Sequence, residues 1–266
     1  MLGIDIVRNV KAARYVLITD EIVEKIHLPS VIESFKDAEK KLNSEIVLLT
    51  KVITPGESSK NRGVKQDIED WMLSQHCGRD TCVIALGGGV IGDLVGFVAA
   101  TFLRGVPVIQ IPTSLLAMVD SSIGGKTGLD TPHGKNLIGA FHQPTRIYLN
   151  LSFLVSLPQR QFSNGMAEVI KTAAIYDEDF FRYLEDHVDE ILDNQLEFVE
   201  HAVLKSAQVK AEVVTIDEKE GGLREILNFG HSIGHAIETL MLPGMLHGEG
   251  YKFLFLKKFI ITFFNY

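Results

Sequence analysis

The order of apolar segments predicts an α/β N-terminal domain built on a parallel sheet, followed by an all-α C-terminal domain. Three observations carry this. Four short apolar runs alternate with helical stretches between residues 15 and 111. A Gly-x-Gly-x-x-Gly turn, Gly87, Gly89 and Gly92, follows the third run. From about Pro158 the apolar period changes to that of a helix, so the domains are expected at residues 1–158 and 159–266. With 266 residues, 46% of them hydrophobic, the chain is long enough to bury two cores.

Taken in order, Tyr15–Asp20 is a buried strand ending in an acid, and a helical stretch leads to a second strand at Glu45–Thr50. Thr81–Leu86 is the third strand, Val90–Ala100 the helix that the glycine turn opens, and Val106–Ile111 the fourth strand. Strands apolar on both faces and joined by helices belong to a parallel sheet covered on both sides. The helical half reads as Met166–Tyr176, Asp179–Leu192, Leu196–Val214 and Ser232–Met241, with no strong strand among them. The sequence shows no internal repeat or low-complexity tract.

A formal charge of −8 and a pI near 5.6 argue against nucleic acid as the main partner, because phosphate backbones need a concentrated basic surface. The two cysteines, Cys77 and Cys82, have neither zinc nor redox spacing and suit a reducing compartment. There is no signal-peptide pattern at the N-terminus and no apolar run of bilayer length, so a cytoplasmic address without a membrane partner is expected.

Gly87-Gly88-Gly89-Val90-Ile91-Gly92-Asp93 has the context in which backbone approaches a pyrophosphate and helix N-terminal N–H groups receive it. The acid expected roughly 20 residues later, for a ribose hydroxyl, is missing, since that strand ends Ile111-Pro112-Thr113-Ser114. Asp20 and Glu57 are substitutes, so a dinucleotide would bind in a variant manner; a purely structural turn is the other reading. Two more glycine-rich segments, 120–128 and 134–139, place Lys126 and Lys135 beside glycines in stretches too glycine-rich for regular helix. A P-loop is excluded, because Asp120 stands where its first glycine should be. Solvated loop charge explains these lysines taken alone. With Arg104, Lys171, Lys210, Arg224 and Asn228 distributed over both halves, a polyanionic small substrate explains them better.

The C-terminal half holds a second constellation. His231 and His235 are four apart, which stacks them on one helix face, and His247 follows in Leu246-His247-Gly248-Glu249. Glu168 adds a carboxylate, with Lys171 one turn further on its helix face. Three ligands with an open fourth position describe a catalytic zinc site. Helix-packing or solvent-facing histidines are the other reading.

Gly-Gly-Gly-Val-Ile-Gly-Asp (87–93), Gly-Gly-Lys-Thr-Gly (124–128), Gly-Lys-Asn-Leu-Ile-Gly-Ala-Phe (134–141), Ala-Glu-Val-Ile-Lys (167–171), Leu-Asn-Phe-Gly-His-Ser-Ile-Gly-His-Ala (227–236) and His-Gly-Glu (247–249) together resemble 3-dehydroquinate synthase. The likeness runs from about Tyr15 to Glu249 and is greatest to the form that opens the fungal multifunctional shikimate-pathway protein. It implies a Rossmann-like NAD-binding domain, a helical metal-binding domain, a cleft between them, a homodimer, and later shikimate-pathway domains in a longer protein. The implied substrate is 3-deoxy-D-arabino-heptulosonate 7-phosphate. Carried over by position, Glu168, His231 and His247 would ligate zinc, and His235 becomes a proton acceptor instead of a ligand. Glu220 matches the family's other acid/base group. Asp20, Glu57, Lys60, Gly88, Gly89, Asp93, Thr113, Ser114, Lys135, Phe153, Ser156 and Asn164 would line the NAD site. Asp120, Lys126, Asn136, Lys171, Lys210, Arg224 and Asn228 would hold the substrate, with Arg104 reaching its phosphate from the other subunit. The implied reaction passes a hydride to NAD, eliminates phosphate, returns the hydride, and recloses the ring by an aldol step.

The chain departs from this pattern in two places. The family has a strand pair before the Tyr15 strand, where only a short lead stands here, and further helices with a substrate-binding lysine after Glu249. Residues 250–266 resemble nothing in the family. Their aromatic density around Lys257-Lys258 would suit a membrane-surface helix, but a truncated product with impaired or absent turnover is the expectation. Other readings are a different sugar-phosphate cyclase, a metal-dependent polyol dehydrogenase that accumulates NADH, and a non-catalytic NAD-binding paralogue.

Overall fold

The computed structural model describes residues 1–231, 234 and 245–251. Most of the helix expected at Ser232–Met241, His235 and the tail beyond Tyr251 lie outside the described residues. The chain forms two compact units, Met1–Thr113 with Gly125–Asn150, and Ser114–Gly124 with the described residues from Leu151 onward. The change of character expected at Pro158 therefore differs from the division found. The 3-10 segment Leu151–Ser156 already belongs to the second unit, with Phe153 and Leu154 buried. Ser114–Gly124 belongs there too, through buried Leu115, Met118 and Val119.

The first unit is the expected α/β layer structure. Strands β1 (Arg14–Asp20), β2 (Leu48–Ile53), β3 (Thr81–Gly87), β4 (Val108–Pro112) and β7 (Arg146–Ile147) form one parallel sheet in the order β2-β1-β3-β4-β7. Val16, Leu17 and Ile18 of β1 and Val83 and Ile84 of β3 are fully buried, as strands covered on both faces must be. The helices are α1 (Leu2–Asn9), α2 (Glu21–Leu42), α3 (Arg62–Ser74) and α4 (Gly89–Thr101). The lead before Tyr15 forms α1. It packs Ile6 inward and brings Gly3 so near α2 that a Cβ would sit 2.3 Å from Ser34 O. Strand β2 starts later than its apolar run, at Leu48 opposite Tyr15 near the start of its partner strand, and just before it the Glu39 carboxylate accepts the Ile46 N–H at 2.8 Å.

The glycine-rich segments expected as loops form a hairpin, β5 (Lys126–Thr131) with β6 (Gly134–Phe141). Its glycines serve close approach of strands, since a Cβ on Gly139 would meet Thr127 O at 1.9 Å.

The second unit is helical: α5 (Gln159–Tyr176), α6 (Glu178–Asp186), α7 (Val188–Leu192), α8 (Leu196–Ile216), a 3-10 segment Leu223–Asn228, and α9 (His247–Tyr251). The single helix expected over Asp179–Leu192 breaks at His187, whose backbone leaves helical angles (φ −122°, ψ 29°). The ring of His187 packs against Tyr183 and Phe198, with centroids at 4.5 and 4.7 Å. Along α8, Val199, Ala202, Val203, Ser206, Val209, Lys210 and Val213 form the buried stripe that carries Lys210 inward. No helix among the described residues is long and apolar enough to cross a membrane.

Candidate active site

In the first unit, candidate groups gather at the C-terminal ends of the parallel strands, where ligands of open α/β sheets bind. Gly88 precedes α4 in extended conformation, and no side chain caps the first turn, which leaves that end of the helix suited to an anion. A Cβ at Gly87 would strike Ile91 at 2.6 Å, and one at Gly92 or Gly96 would strike Gln110 or Thr127 at 2.9 and 2.5 Å. The glycines thus give a tight turn and close helix–sheet packing. Asp20 caps α2, its Oδ1 accepting the N–H of Ile22 and Val23 at 2.9 and 3.0 Å. Thr113 donates its backbone N–H to Gly87 O.

Lys60 is 4% exposed, and its ammonium donates to Asp93 Oδ2 at 2.6 Å and Asn136 Oδ1 at 2.5 Å. Asn136 sits at φ 55°, with its N–H held by Asp130 Oδ1 at 2.9 Å. One buried cation therefore ties the glycine-turn helix to the hairpin. Lys135 lies 3.5 Å from Glu57 Oε1, and Lys126 is exposed at the start of β5. Arg104 stands in the middle of three positive-φ residues, with φ 48° at Leu103, 74° at Arg104 and 112° at Gly105.

The second unit brings together Glu168, His231 and His247, each offering a ligand atom within 4.8 Å of the others. Helix α5 carries Glu168 and Lys171 on one buried face, each side chain 2% exposed, with the ammonium against Glu168 Oε2 and donating to Leu227 O at 2.6 Å. His247 Nε2 stands 3.5 Å from Glu168 Oε1. Burial alone would raise the Glu168 carboxyl, but Lys171 and the two imidazoles hold it well below the usual range. Burial pushes His231 down to about 4, so its imidazole is neutral at physiological pH.

The residues fit a metal. One ionised carboxylate and two imidazoles, one of them held neutral, are a donor set of catalytic zinc sites. Glu168 Oε2 is buried without a well-formed hydrogen bond.

Asn164, Gly248 and Glu249 place His247, a role that the sequence motifs do not show. Gly248 donates its N–H to Asn164 Oδ1 at 2.6 Å, and its Cα lies so close to α5 that a Cβ would be 2.3 Å from Asn164 O. Glu249 Oε2 accepts the Leu246 N–H at 2.8 Å, a capping interaction, while both carboxylate oxygens take Arg160 at 2.7 and 2.8 Å. The capping residue three along the helix is a readable signal; the anchor at Asn164 leaves none.

Two more buried cations stand in this unit. Lys210 donates to Asp120 Oδ1 and, at 2.5 Å, to Asp120 O. Burial lowers Lys210; burial also works to raise Asp120, but Lys210 and Lys171 together hold that carboxyl below its ordinary value. Arg224, 2% exposed, donates to Glu218 O and, at 2.9 Å, to Gly124 O. Glu220, at φ 60°, accepts from Asn228 Nδ2 at 2.9 Å. Ser114 accepts the Ala117 N–H at 3.3 Å, Ser156 donates to Phe153 O at 3.1 Å, and Phe153 is buried.

Residues 50–164 match the model of the 3-dehydroquinate synthase N-terminal domain, and residues 165–253 that of the C-terminal domain. The chain belongs to the 3-dehydroquinate synthase family. Among solved structures, 2-epi-5-epi-valiolone synthase from Streptomyces hygroscopicus subsp. jinggangensis 5008, with NAD+ and Zn2+ bound, superposes with a TM-score of 0.81 at 29% identity, over 90% of this chain and 66% of that one. A 2-deoxy-scyllo-inosose synthase with carbaglucose-6-phosphate, NAD+ and Co2+ gives 0.79 at 27% identity, over 91% and 65%. This family member thus spans just under two thirds of the length of either protein. Glycerol dehydrogenase from Schizosaccharomyces pombe, at 17% identity and a TM-score of 0.68, shares the fold.

Proposed function

We propose that this chain acts as a sugar-phosphate cyclase and, within that class, as a 3-dehydroquinate synthase that converts 3-deoxy-D-arabino-heptulosonate 7-phosphate into 3-dehydroquinate and phosphate. The observation that carries the reading is the Glu168–His231–His247 cluster packed against buried Lys171, in a unit that also buries Lys210 and Arg224. Lys171 and Lys210 are held by Glu168 and Asp120, and Arg224 by two backbone carbonyls; fixed in this way, the three cations suit a substrate that carries a carboxylate and a phosphate. Both superposed cyclases bind NAD+ with a divalent metal, which supports the same pair of cofactors here.

Zinc held by Glu168, His231 and His247 would supply Lewis acidity toward a ring hydroxyl, and NAD at the α4 glycine turn would supply a hydride acceptor restored at each turnover. The chain's own side chains do the rest. Lys171, Lys210 and Arg224 would neutralise carboxylate, phosphate and developing enolate charge, the electrostatic contribution that is usually largest. Asp120 holds Lys210 extended. Lys60 would keep Asp93 on the cofactor side and Asn136 on the substrate side in fixed relation. Glu220, steadied by Asn228, would move a proton, as would His235 from outside the described residues. Arg104 would reach the phosphate across a homodimer. Asn136 and the Leu137-Ile138-Gly139-Ala140-Phe141 run support dehydroquinate synthase over the other cyclases.

The test is inorganic phosphate release from 3-deoxy-D-arabino-heptulosonate 7-phosphate by purified protein with NAD, with and without zinc, while absorbance at the NADH band is followed. Zinc-dependent release without NADH build-up is the expected outcome. Release only from glucose 6-phosphate, whose carbocyclic analogue the inosose synthase binds, would move the chain to another cyclase. NADH build-up would make it a polyol dehydrogenase. NAD binding without phosphate release would make it a non-catalytic partner.

A further inference from the structure

We infer that Asp217 is the positioning residue that sets Glu220 and Arg224 in place. The inference rests on the proposed function, which gives Glu220 and Arg224 their roles. Asp217 closes α8, with its own N–H on Val213 O at 3.0 Å, so its carboxylate projects from the end of a rigid helix. That helix is itself pinned one face over by Lys210 on Asp120. From this fixed point, Oδ1 accepts the N–H of Gly221 at 2.9 Å, and Oδ2 accepts those of Gly222 and Arg224 at 2.8 and 3.0 Å. The segment between is short and irregular, and it contains Glu220 in the left-handed region at φ 60°.

A non-glycine residue there is strained and persists only where the surroundings over-determine it. Asp217 supplies that determination. Its bonds fix the backbone on the C-terminal side of Glu220, so the carboxylate meets Asn228 Nδ2. The bond to the Arg224 N–H starts the 3-10 turn that sends the guanidinium inward to Glu218 O and Gly124 O. The N–H groups of Gly221 and Arg224 also hold the Asp217 carboxyl below its usual range, as expected of a carboxylate that accepts several backbone donors. Sequence alone would pass over Asp217, an ordinary acid in an acidic, lysine-containing stretch.

Asp217→Asn removes at least one of the two accepting oxygens while keeping size and shape. Two measurements then decide. The first is limited trypsin digestion read by mass spectrometry. Arg224 is 2% exposed, and cleavage after it should rise at least about tenfold in Asp217→Asn while the melting temperature barely moves; unchanged cleavage would overturn the inference. The second is a double-mutant cycle on phosphate release with Asp217→Asn, Glu220→Gln and both. If Asp217 acts through Glu220, its substitution lowers kcat about 10- to 100-fold alone and clearly less beside Glu220→Gln, where only its effect through Arg224 remains. Independent, multiplying losses would refute it, because a residue that only stabilises the fold loses as much in either background. An unaltered chain that releases no phosphate would refute the proposed function, and the trypsin measurement alone would then decide on Asp217.

Discussion

Substituting Lys171 by Met removes an ammonium from a place where neither it nor Glu168 is more than 2% exposed. The carboxylate is left buried, with His247 Nε2 at 3.5 Å as the nearest group able to carry positive charge. Breaking a buried ion pair from one side costs about 3–5 kcal/mol, because the remaining charge is uncompensated. The Leu227 carbonyl also loses its donor, which adds roughly 1 kcal/mol. For a protein of this size such a loss lowers the melting temperature by on the order of 10 °C. Glu168→Gln should cost a similar amount by stranding Lys171. Zinc distinguishes the two variants. A metal on Glu168, His231 and His247 supplies the positive charge that Lys171→Met has lost, and at 100 times its Kd it returns about 2.7 kcal/mol. Glu168→Gln has lost a ligand and should gain far less. Removing both groups together should cost less than the sum of the single losses. The assay is thermal unfolding of the four proteins with EDTA and with zinc. Equal rescue of both single variants, or no loss in either, would refute both the charge balance and the ligand assignment.

Two further outcomes follow from local geometry. Gly248→Ala places a Cβ 2.3 Å from Asn164 O and 2.9 Å from Ala167 Cβ, so α9 must shift and carry His247 from Glu168. The variant should lose about 1–3 kcal/mol and most of the zinc-dependent thermal shift, and an undiminished shift would contradict the anchoring described. Asp177 caps α6 by accepting the Phe180 N–H at 2.9 Å, with Lys205 3.5 Å away, and these hold its carboxyl below the usual value. Its charge therefore stabilises the fold fully above the unfolded pKa of about 3.9 and stops doing so as pH falls through the lower folded value. Relative to Asp177→Asn the unaltered chain should show a higher urea midpoint at pH 5–7, a gap that closes toward pH 3; a gap that widens in acid would contradict the sign.

The parts of the molecule legible in the sequence are those whose cause is local. Strand β3 is Thr81–Gly87 because its short unbroken apolar run suits a doubly covered strand, and α4 begins within the glycine turn, at Gly89. Helix α8 appears at its expected place because its apolar stripe recurs every three or four residues. The hairpin of β5 and β6 was hidden by its own packing. Its glycines suggest loops, yet they are there because one backbone lies against another, as at Gly139 and Thr127 O. Strand β2 begins close to where its partner does, at the pair of Tyr15 and Leu48, a tertiary limit that its own apolar run does not carry.

The same division governs the site. Glu168 and Lys171 share a helix face by their spacing alone, so their proximity is already in the sequence. His247 lies far along the chain, and its position depends on Asn164, Gly248 and the Glu249 cap acting together. Asn164 is assigned to the cofactor site by resemblance, whereas its side-chain oxygen binds the α9 backbone. It thus helps hold the segment that carries His247 in place. Lys60 shows the same economy in the first unit, since one ammonium serves Asp93 on α4 and Asn136 on β6. A group at the glycine turn that drew Asp93 away would leave the Lys60 ammonium with Asn136 Oδ1 as the other of its two side-chain acceptors.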